Sequence, residues 1–391
     1  MAQQATTANA NGPIYGGANN GTLTGAGTAD QRRALYLKLF SGEMFKGFQH
    51  NTIARDLVTK RTLTNGRSLQ FIYTGRTKAE FHVPGQSILG NDEKTPPVAE
   101  KTIECDDLLI SSAFVYELDE TLAHYDLRGE ISRKIGYALA ENYDRRIFRA
   151  ITKAARQPSP VTMSNFVEPG GSVVKVGAAN STVAADAYNA GHLVNAFYDA
   201  AAILDEKGVS GEGRVAVLNP RQYYALIQDI NNNGLINRDV QGTALQSGNG
   251  IIEIAGIRIF KSMNIPFFGK FGTKTDMNPR ASNDNEGSFV GEAMGDQDSK
   301  TTPSNSNTQK TINNYGTATK FANSCGLIFQ KEACGVVEAI GPQVQVTSGD
   351  ISVVYQGDVI LGRLAMGADF LNPAAAVELF AGTGTAPTAF G

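Results

Sequence analysis

The most regular hydrophobic pattern in the chain lies between Asp119 and Pro158 and predicts one long amphipathic helix. Its apolar positions recur mostly at intervals of four, as they do on one face of a helix: Leu127, Ile131, Ile135, Leu139, Tyr143, Ile147 and Ile151. The charged residues of the opposite face are Arg128, Arg133, Glu141, Arg145, Arg149 and Lys153. Asp126 is expected to cap the first turn. Pro158 is expected to end the helix, because proline lacks an N–H group and restricts the residue before it.

A helix from Leu127 to Arg156 is about 45 Å long at about 1.5 Å per residue. A 100-residue domain has a radius of gyration of only about 13 Å, so a helix of this length is expected to cross a whole subunit. A coiled-coil seam is the alternative, but coiled coils alternate steps of three and four residues, whereas most steps here are four. We therefore predict a spine helix that carries separate lobes.

Before this helix the hydrophobic period changes to two, which predicts paired, half-buried strands at 68–73 and 102–106. The connection between them has about 25 residues and is rich in Gly and Pro, whereas hairpin loops usually have two to five residues. We predict a projecting hairpin that is ordered by contact with a partner. Its charged residues, which we expect to make that contact, are Arg76, Lys78, Glu80, His82, Asp92, Glu93 and Lys94. A further strand is predicted at 108–118, leading into the spine helix.

The second half of the chain alternates predicted strands and helices, which indicates a mixed α+β lobe. A helix is predicted from His192 to Lys207, ended by Gly208, and another begins at Pro220, which Asn219 precedes as the cap. Residues 215–218 are predicted to form a short buried strand, and 251–254 and 257–259 an apolar hairpin. Strands at 327–329 and 344–346 are expected to resume the core, and 377–380 to form a last strand. The period of 351–365 fits either a strand or a helix.

Three stretches lack a hydrophobic pattern. Residues 1–31 are almost wholly Ala, Gly, Asn, Gln and Thr, which bury too little apolar surface to offset the entropy of ordering, so we predict a flexible arm. Residues 160–187 are expected to form loops. Residues 271–319 are rich in Asn, Ser, Thr and Gly and predict a polar surface insertion.

Composition narrows the class of protein. The 391 residues suffice for about two or three lobes. The formal net charge of −3 gives no overall attraction to nucleic acid or to an anionic membrane. Three cysteines without a CxxC pair, Cys105, Cys325 and Cys334, argue against a disulfide framework or a structural zinc and favour synthesis in a reducing compartment. We expect neither a signal peptide nor a membrane-spanning helix, since no apolar run reaches about 18 residues.

The sequence also lacks the common signatures of catalysis. It has no GxSxG, HExxH or EF-hand spacing. Gly-rich fragments at 25–30 and 269–275 fail the spacing and context of nucleotide-binding loops. The four histidines lie in four different predicted elements. We therefore expect no catalytic residue, no cofactor and no metal, and interpret the arm, hairpin, spine and lobe as parts that contact other copies of the chain.

Several short runs are distinctive for their exact residues and not for their hydrophobic period. They are ALYLKLFSGE at 34–43, GRTKAEF at 75–81, VPG at 83–85, YELDETLAHYDLR at 116–128, LAMG at 364–367 and LNP at 371–373. These runs resemble the major capsid protein of short-tailed bacteriophages of the autographivirus type, a group of podoviruses. The likeness is strongest over 34–157 and 350–380, and the polar insertion after Phe271 departs from the family's pattern.

The resemblance implies the Hong Kong 97-type capsid fold, an α+β fold. Its implied parts are an N-terminal arm at 1–50; a peripheral domain at 51–184 with an extended β-hairpin, the E-loop, at about 66–106 and the spine helix at 127–156; an axial domain at 185–365 with the polar insertion at 271–319; and a return to the peripheral domain at 366–391.

The resemblance also implies a role in the virion. Such proteins assemble with themselves, in the host cytoplasm, into the hexamers and pentamers of an icosahedral capsid shell around double-stranded DNA. The implied partners are a scaffolding protein during assembly, a portal protein at one vertex, the packaged DNA without sequence specificity, and an outer decoration protein. No membrane is implied.

Two hypotheses concern particular residues. In the first, the charged residues of the hairpin pair with charges on a neighbouring subunit. In the second, a basic strip on the spine helix faces the lumen and touches DNA phosphates; it consists of Arg145, Arg146, Arg149, Lys153 and Arg156. The alternative to the second is a solvated helix face in ion pairs with Glu141 and Asp144. For the whole chain, the alternatives to a phage capsid protein are a non-viral nanocompartment shell of the same fold and a soluble enzyme.

Overall fold

The computed structural model of the chain describes residues 53–77, 79, 81–85, 87, 96–117, 127–160, 162–163, 166–228, 253–266, 313–316, 321, 323–346, 356–382 and 385–389. The predicted N-terminal arm, the predicted cap Asp126, the tip of the hairpin and most of the polar insertion lie outside these residues.

Within the described residues the chain forms three α-helices and fourteen β-strands, which confirms the predicted α+β class. The helices are α1 (Leu127–Arg156), α2 (Ala190–Glu206) and α3 (Pro220–Gln228). The strands are β1 (Thr59–Thr62), β2 (Ser68–Thr74), β3 (Val98–Glu104), β4 (Leu109–Tyr116), β5 (Thr162–Met163), β6 (Phe166–Val167), β7 (Ser172–Lys175), β8 (Arg214–Leu218), β9 (Glu253–Ile254), β10 (Ile257–Lys261), β11 (Ser324–Gln330), β12 (Cys334–Val346), β13 (Gly357–Phe370) and β14 (Ala376–Phe380). Short 3₁₀ helices cover Ala54–Asp56, Ala184–Tyr188, Lys331–Ala333 and Pro373–Ala375.

The spine helix α1 runs from Leu127 to Arg156, the bounds that the hydrophobic pattern predicts. Its first half has an exposed charged face, on which the Arg133 side chain is 47% exposed. Its second half differs from the prediction, because every residue from 143 to 156 is buried. The charged residues of that half must therefore find partners inside the protein.

The described chain divides into two compact units, and α1 contributes to both. The first unit, within 108–142 and 340–366, holds the first half of α1 and the antiparallel pair of β4 with β13. This pair runs from Leu109 opposite Leu364 to Tyr116 opposite Gly357. Residues 351–365, whose period left strand and helix open, form a strand from Gly357 onward.

Strands β4 and β13 belong to a four-stranded sheet in the order β1-β12-β13-β4. β1 pairs in parallel with residues 335–338 of β12. The far end of β12 is exposed, with Val344 and Val346 at 48% and 49% exposure. The prediction that residues 344–346 lie in the core is therefore wrong: their alternation is that of a strand, but little of the described chain covers them.

The second unit, within 51–107, 143–339 and 367–391, contains a six-stranded mixed sheet in the order β7-β14-β11-β8-β10-β9. β8 at its centre is buried along its whole length, as expected of a strand covered on both faces. β9 and β10 form the predicted apolar hairpin. Its turn residues Ala255 and Gly256 have φ values of 53° and 74°, the left-handed conformation of a two-residue hairpin turn.

Helices α2 and α3 bury their apolar faces in the core that the six-stranded sheet forms. The most buried side chains of α2 include Leu193, Phe197 and Leu204, each at 0% exposure. Asn189 caps α2, because its side chain accepts hydrogen bonds from the N–H groups of Gly191 and His192. The helix ends before Gly208, which has a φ of +70°. The predicted start and end of this helix differ from the observed ones by one or two residues.

Two loop predictions need correction. Residues 160–187 are not only loop, since β7 pairs in parallel with β14, from Ser172 opposite Val377 to Lys175 opposite Phe380. The predicted surface insertion at 271–319 returns to the core before its end, because Asn313 and Tyr315 are 9% and 1% exposed. Neither segment has a local hydrophobic period, since distant residues cover it.

The division into units also differs from the implied domains. Residues 340–366 belong with 108–142 and not with the lobe of 185–339. The implied axial domain extended to residue 365. The strands β12 and β13 carry the chain from one unit to the other, so the hydrophobic pattern gives no boundary within them.

Candidate inter-subunit surface

The predicted projecting hairpin is present. β2 and β3 pair antiparallel from Ser68 opposite Glu104 to Thr74 opposite Val98. Leu69, Phe71 and Tyr73 are half-buried on one face of the hairpin, and Ile103 on the same face is fully buried. The alternation read from the sequence therefore assigns this face correctly to the protein interior.

The opposite face of the hairpin carries exposed apolar side chains. Ile72 and Val98 are 74% and 64% exposed. Beyond β2, the connection adds Phe81, which is completely exposed, and Val83, which is 55% exposed. Single apolar residues on a surface are ordinary, but four large ones on one hairpin make it a candidate protein-binding surface.

Glu168 holds the base of this hairpin. Its Oε1 accepts a 2.6 Å hydrogen bond from the backbone N–H of Arg76, and its Oε2 accepts one of 3.4 Å from the Tyr73 hydroxyl. The Arg76 Nε lies 3.7 Å from the same carboxylate, and the guanidinium also donates to the Lys207 carbonyl. Because Glu168 is only 4% exposed, the hairpin leaves the fold at a fixed point.

Gly75 allows this close approach. Its N–H donates to the Pro97 carbonyl at 2.7 Å, and a Cβ at this position would lie 2.6 Å from the Pro97 ring and 2.8 Å from Glu168 Oε1. Glu168 was not among the predicted site residues. It lies 92 residues from Arg76 along the chain, and a lone glutamate gives no local signal.

The structure describes only some of the hairpin residues that are predicted to contact a neighbouring subunit. The Arg76 side chain is 61% exposed, yet it is paired within its own chain to Glu168. His82 is exposed. Lys78, Glu80, Asp92, Glu93 and Lys94 lie outside the described residues, so their contact with a neighbouring subunit stays a prediction.

The five cations of the spine helix are not a lumenal strip, and that prediction is corrected. Arg145, Arg146, Arg149, Lys153 and Arg156 are all buried, at 1% to 7% exposure. A solvated face is equally wrong for them. Four of these cations have partners far away in sequence: Arg146 pairs with Asp106 at 3.4 Å, Arg149 donates to the Gly316 carbonyl at 3.0 Å, Lys153 pairs with Asp369 at 3.1 Å, and Arg156 pairs with Glu378 at 2.5 Å.

Asp106 is the most heavily hydrogen-bonded of these carboxylates. It accepts from the Tyr315 hydroxyl at 2.6 Å and from the backbone and side-chain nitrogens of Asn313 at 3.0 and 2.9 Å. The Tyr315 oxygen in turn accepts from the N–H of Ala368 at 3.0 Å. Burial and the charge of Asp106 hold the pKa of Tyr315 well above its ordinary value, so this hydroxyl remains a donor.

Another buried carboxylate, that of Glu338, joins the helix to the start of the described chain. The Tyr143 hydroxyl donates to it at 2.6 Å, and the Arg55 guanidinium donates through two nitrogens at 3.2 and 3.0 Å. Burial alone would raise the pKa of Glu338, but the hydrogen bonds from Arg55 and Tyr143 outweigh it and lower the pKa below 4.5.

This shift predicts a pH dependence of stability. The folded protein holds Glu338 ionised more strongly than the unfolded chain does, so the stabilisation is present above about pH 4.5 and is lost as the pH falls further. Replacing Arg55 by Met should raise the pKa of Glu338 towards that of the unfolded chain, so that less stability is lost as the pH falls. Urea unfolding between pH 3 and 6 measures this change in the pH dependence of stability. The matched control is Arg221→Met, since Arg221 is also exposed, and an unchanged profile in Arg55→Met would contradict the assignment.

The described residues give little support for other kinds of site. The part of the chain that the structure describes has no group of three or more His, Cys, Asp or Glu that could hold a metal ion. None of the helices in that part combines the length and the hydrophobicity that a membrane span requires. Cys105, Cys325 and Cys334 are free and buried, and burial raises the pKa of each thiol.

The fold is that of phage capsid proteins. It is similar to the capsid structure of cyanophage P-SCSP1u, with a TM-score of 0.67 and 30% identity over 91% of this chain and 96% of that one. It is also similar to the mature capsid of bacteriophage PhiM1, with a TM-score of 0.58 and 13% identity over 88% and 91%. The second likeness shows the fold alone. Together they confirm the predicted Hong Kong 97-type class.

The sequence identifies the family within that class. The family model described as "Gp10A-like: Major capsid protein" matches residues 70–298, and the chain belongs to this family. The major capsid protein of Escherichia phage T7 is 28% identical over 219 residues, which are 55% of this chain and 62% of the relative. That of Enterobacteria phage T3 is 35% identical over 130 residues, 32% of this chain and 37% of the relative. The chain thus spans less than two thirds of either relative. The family match reaches into the region between 157 and 350, where the resemblance noted from sequence is weakest.

Proposed function

We propose that this chain is the shell-forming subunit of a phage head. Copies of it associate into hexamers and pentamers, and these rings build an icosahedral shell that encloses double-stranded DNA in the virion. A scaffolding protein during assembly, a portal protein at one vertex and an outer decoration protein are the further partners of this proposal. It rests on membership of the capsid family together with the shape and surface of the hairpin.

The observation that supports self-association best is the exposed apolar face of the hairpin on a fixed base. Full burial of a large apolar side chain contributes about 1.5–3 kcal/mol, and Ile72, Val98, Phe81 and Val83 gain most of that only against another molecule. A head-to-tail contact uses different surfaces on the two partners, so it repeats until rotation closes a ring. One chain can therefore form rings of five and of six when the angle of the contact varies slightly.

Electron microscopy of the purified full-length chain tests the proposal directly. We expect closed particles of uniform size that carry nuclease-protected DNA when isolated from infected cells. A particle that holds a co-purified enzyme and no genome would favour the nanocompartment alternative. A small oligomer in sedimentation velocity, under conditions where its scaffolding protein is present, would contradict shell formation and leave the soluble enzyme as the rival.

The hairpin base gives a sharper prediction. Glu168→Ala removes the acceptor of the Arg76 N–H, at a cost on the order of 1–3 kcal/mol, and lets the hairpin leave the fold in many directions. Because a fixed hairpin is pre-organised for its neighbour, we expect the assembled fraction to fall about tenfold, which corresponds to about 1.4 kcal/mol.

The measurement is the ratio of particles to free subunits in sedimentation, with circular dichroism to show that the subunits stay folded. Glu212→Ala is the matched control, since Glu212 is an exposed glutamate in the same unit. A particle yield in Glu168→Ala equal to that of the control would show that the fixed base does not matter for assembly.

A further inference from the structure

An open groove lies beside the hairpin within the second unit. Its volume is about 230 Å³, and its apolar lining comes from the hairpin, from the turn after the spine helix and from the end of β13. The lining residues that matter here are Tyr73, Pro158, Ser159, Pro160, Phe370 and Leu371. The volume is below the about 300–1,000 Å³ of typical small-molecule sites, so the groove suits one inserted side chain better than a cofactor.

The walls of the groove are held in place. Pro158 and Pro160 restrict the backbone of the turn after α1. The Gly171 N–H donates to the Gln157 carbonyl at 2.8 Å. On the other side Lys101 lies 3.8 Å from the centre of the Phe370 ring and pairs with Asp369 at 2.7 Å. A groove with fixed walls binds without the entropic cost of forming it.

The chain also offers a side chain that could fill such a groove. Phe81 is completely exposed, although burying an aromatic ring removes about 150–250 Å² from water. It follows the fixed Arg76 by only five residues, a reach of at most about 18 Å. Since Phe81 is fully exposed, it does not occupy the groove of its own subunit.

We propose that Phe81 of one copy inserts into the groove between Tyr73, Pro158 and Phe370 of a second copy. This inference rests on the proposed shell function and specifies one of its contacts. Both halves of the contact lie on the same chain and differ from each other, which is the arrangement that propagates head to tail.

A disulfide trap tests the contact. The double variant Phe81→Cys with Ser159→Cys places one thiol on the inserted residue and one in the groove. After assembly and mild oxidation, a non-reducing gel should show a ladder of covalent oligomers up to pentamers and hexamers. Each single variant should run as a monomer, because the native cysteines Cys105, Cys325 and Cys334 are buried.

The outcomes separate this inference from the function it rests on. Particles that form without cross-links overturn the inference and leave the shell function intact. An internal disulfide within monomers also overturns it, since Phe81 would then fill its own groove. If the unmodified chain forms no particles at all, the proposed function itself fails.

A second pair of variants covers the case in which the double cysteine variant does not assemble. Phe81→Asp should lower the assembled fraction at least tenfold while circular dichroism shows a folded subunit. Phe81→Met, which keeps a flexible apolar side chain, should stay within about twofold of the unmodified chain. Normal assembly of Phe81→Asp would overturn the contact without reference to the disulfide.

Discussion

Replacing Arg156 by Met should lower the free energy of unfolding by about 3–5 kcal/mol. The Arg156 guanidinium donates two hydrogen bonds, of 2.5 and 2.6 Å, to the Glu378 carboxylate, and the two side chains are only 1% and 0% exposed. Removing the cation leaves Glu378 as a buried charge without this partner. Urea unfolding of unassembled subunits, followed by circular dichroism, measures the loss.

Two controls make this prediction specific. Lys134→Met removes a cation from the exposed part of the same helix, where Lys134 is exposed, and should change the free energy of unfolding by less than about 0.5 kcal/mol. The double variant Arg156→Met with Glu378→Met removes both charges and should recover most of the loss, since apolar replacements of a whole buried pair are often neutral. A double variant as unstable as the single one would show that the ion pair is not the cause.

Replacing Asp106 by Ala should cost at least about 4 kcal/mol, because it breaks a buried ion pair and removes the carboxylate that accepts from several buried donors. The groups affected are the Arg146 guanidinium, the Tyr315 hydroxyl and both nitrogens of Asn313. We expect most of the variant protein to be recovered unfolded or aggregated, and assembly to be lost with the fold.

The neighbouring residue supplies the control, since Asp107 is exposed and Asp107→Ala should change stability by less than about 0.5 kcal/mol. Asp106→Asn keeps an acceptor oxygen but not the charge and should fall between the two. Thermal melting ranks all three variants. Equal melting temperatures for Asp106→Ala and Asp107→Ala would mean that the buried contacts of Asp106 contribute little.

These two predictions give the cations of the spine helix a role in stability, whereas a basic strip was expected to contact DNA. Its buried cations connect segments of the second unit that are 40 to 222 residues away in sequence. In the proposed shell, these buried contacts stabilise the second unit, and the hairpin is the segment proposed to contact neighbouring copies. The proposed shell therefore separates stability, which lies in the buried ion pairs, from assembly, which lies in exposed apolar residues.

The elements with a local signal are those that the sequence predicts well. The spine helix begins and ends where its pattern and Pro158 indicate, the strands of the hairpin lie where the period of two appears, and helix α2 ends before Gly208. Each of these signals comes from residues within a few positions of one another, because helix caps, turns and side-chain periodicity are properties of the local backbone. Distinctive short sequence runs such as 116–128 also indicate the protein family.

The tertiary structure decides everything that depends on distant residues. The hydrophobic period of a helix or of a strand shows which residues share a face. It does not show which other part of the protein covers that face. The charged side of the spine helix is therefore solvated in its first half and buried in its second, where Asp106, Asp369 and Glu378 arrive from other segments. Strand β7 exists only because β14 pairs with it, and Glu168 becomes the base of the hairpin only when folding brings it to Arg76. The sequence by itself determined the elements that have a local period and the class of protein. Folding determined strand β7 and the partners of the buried charges, because electrostatic and hydrogen-bonded contacts depend on distance in space and not on distance along the chain.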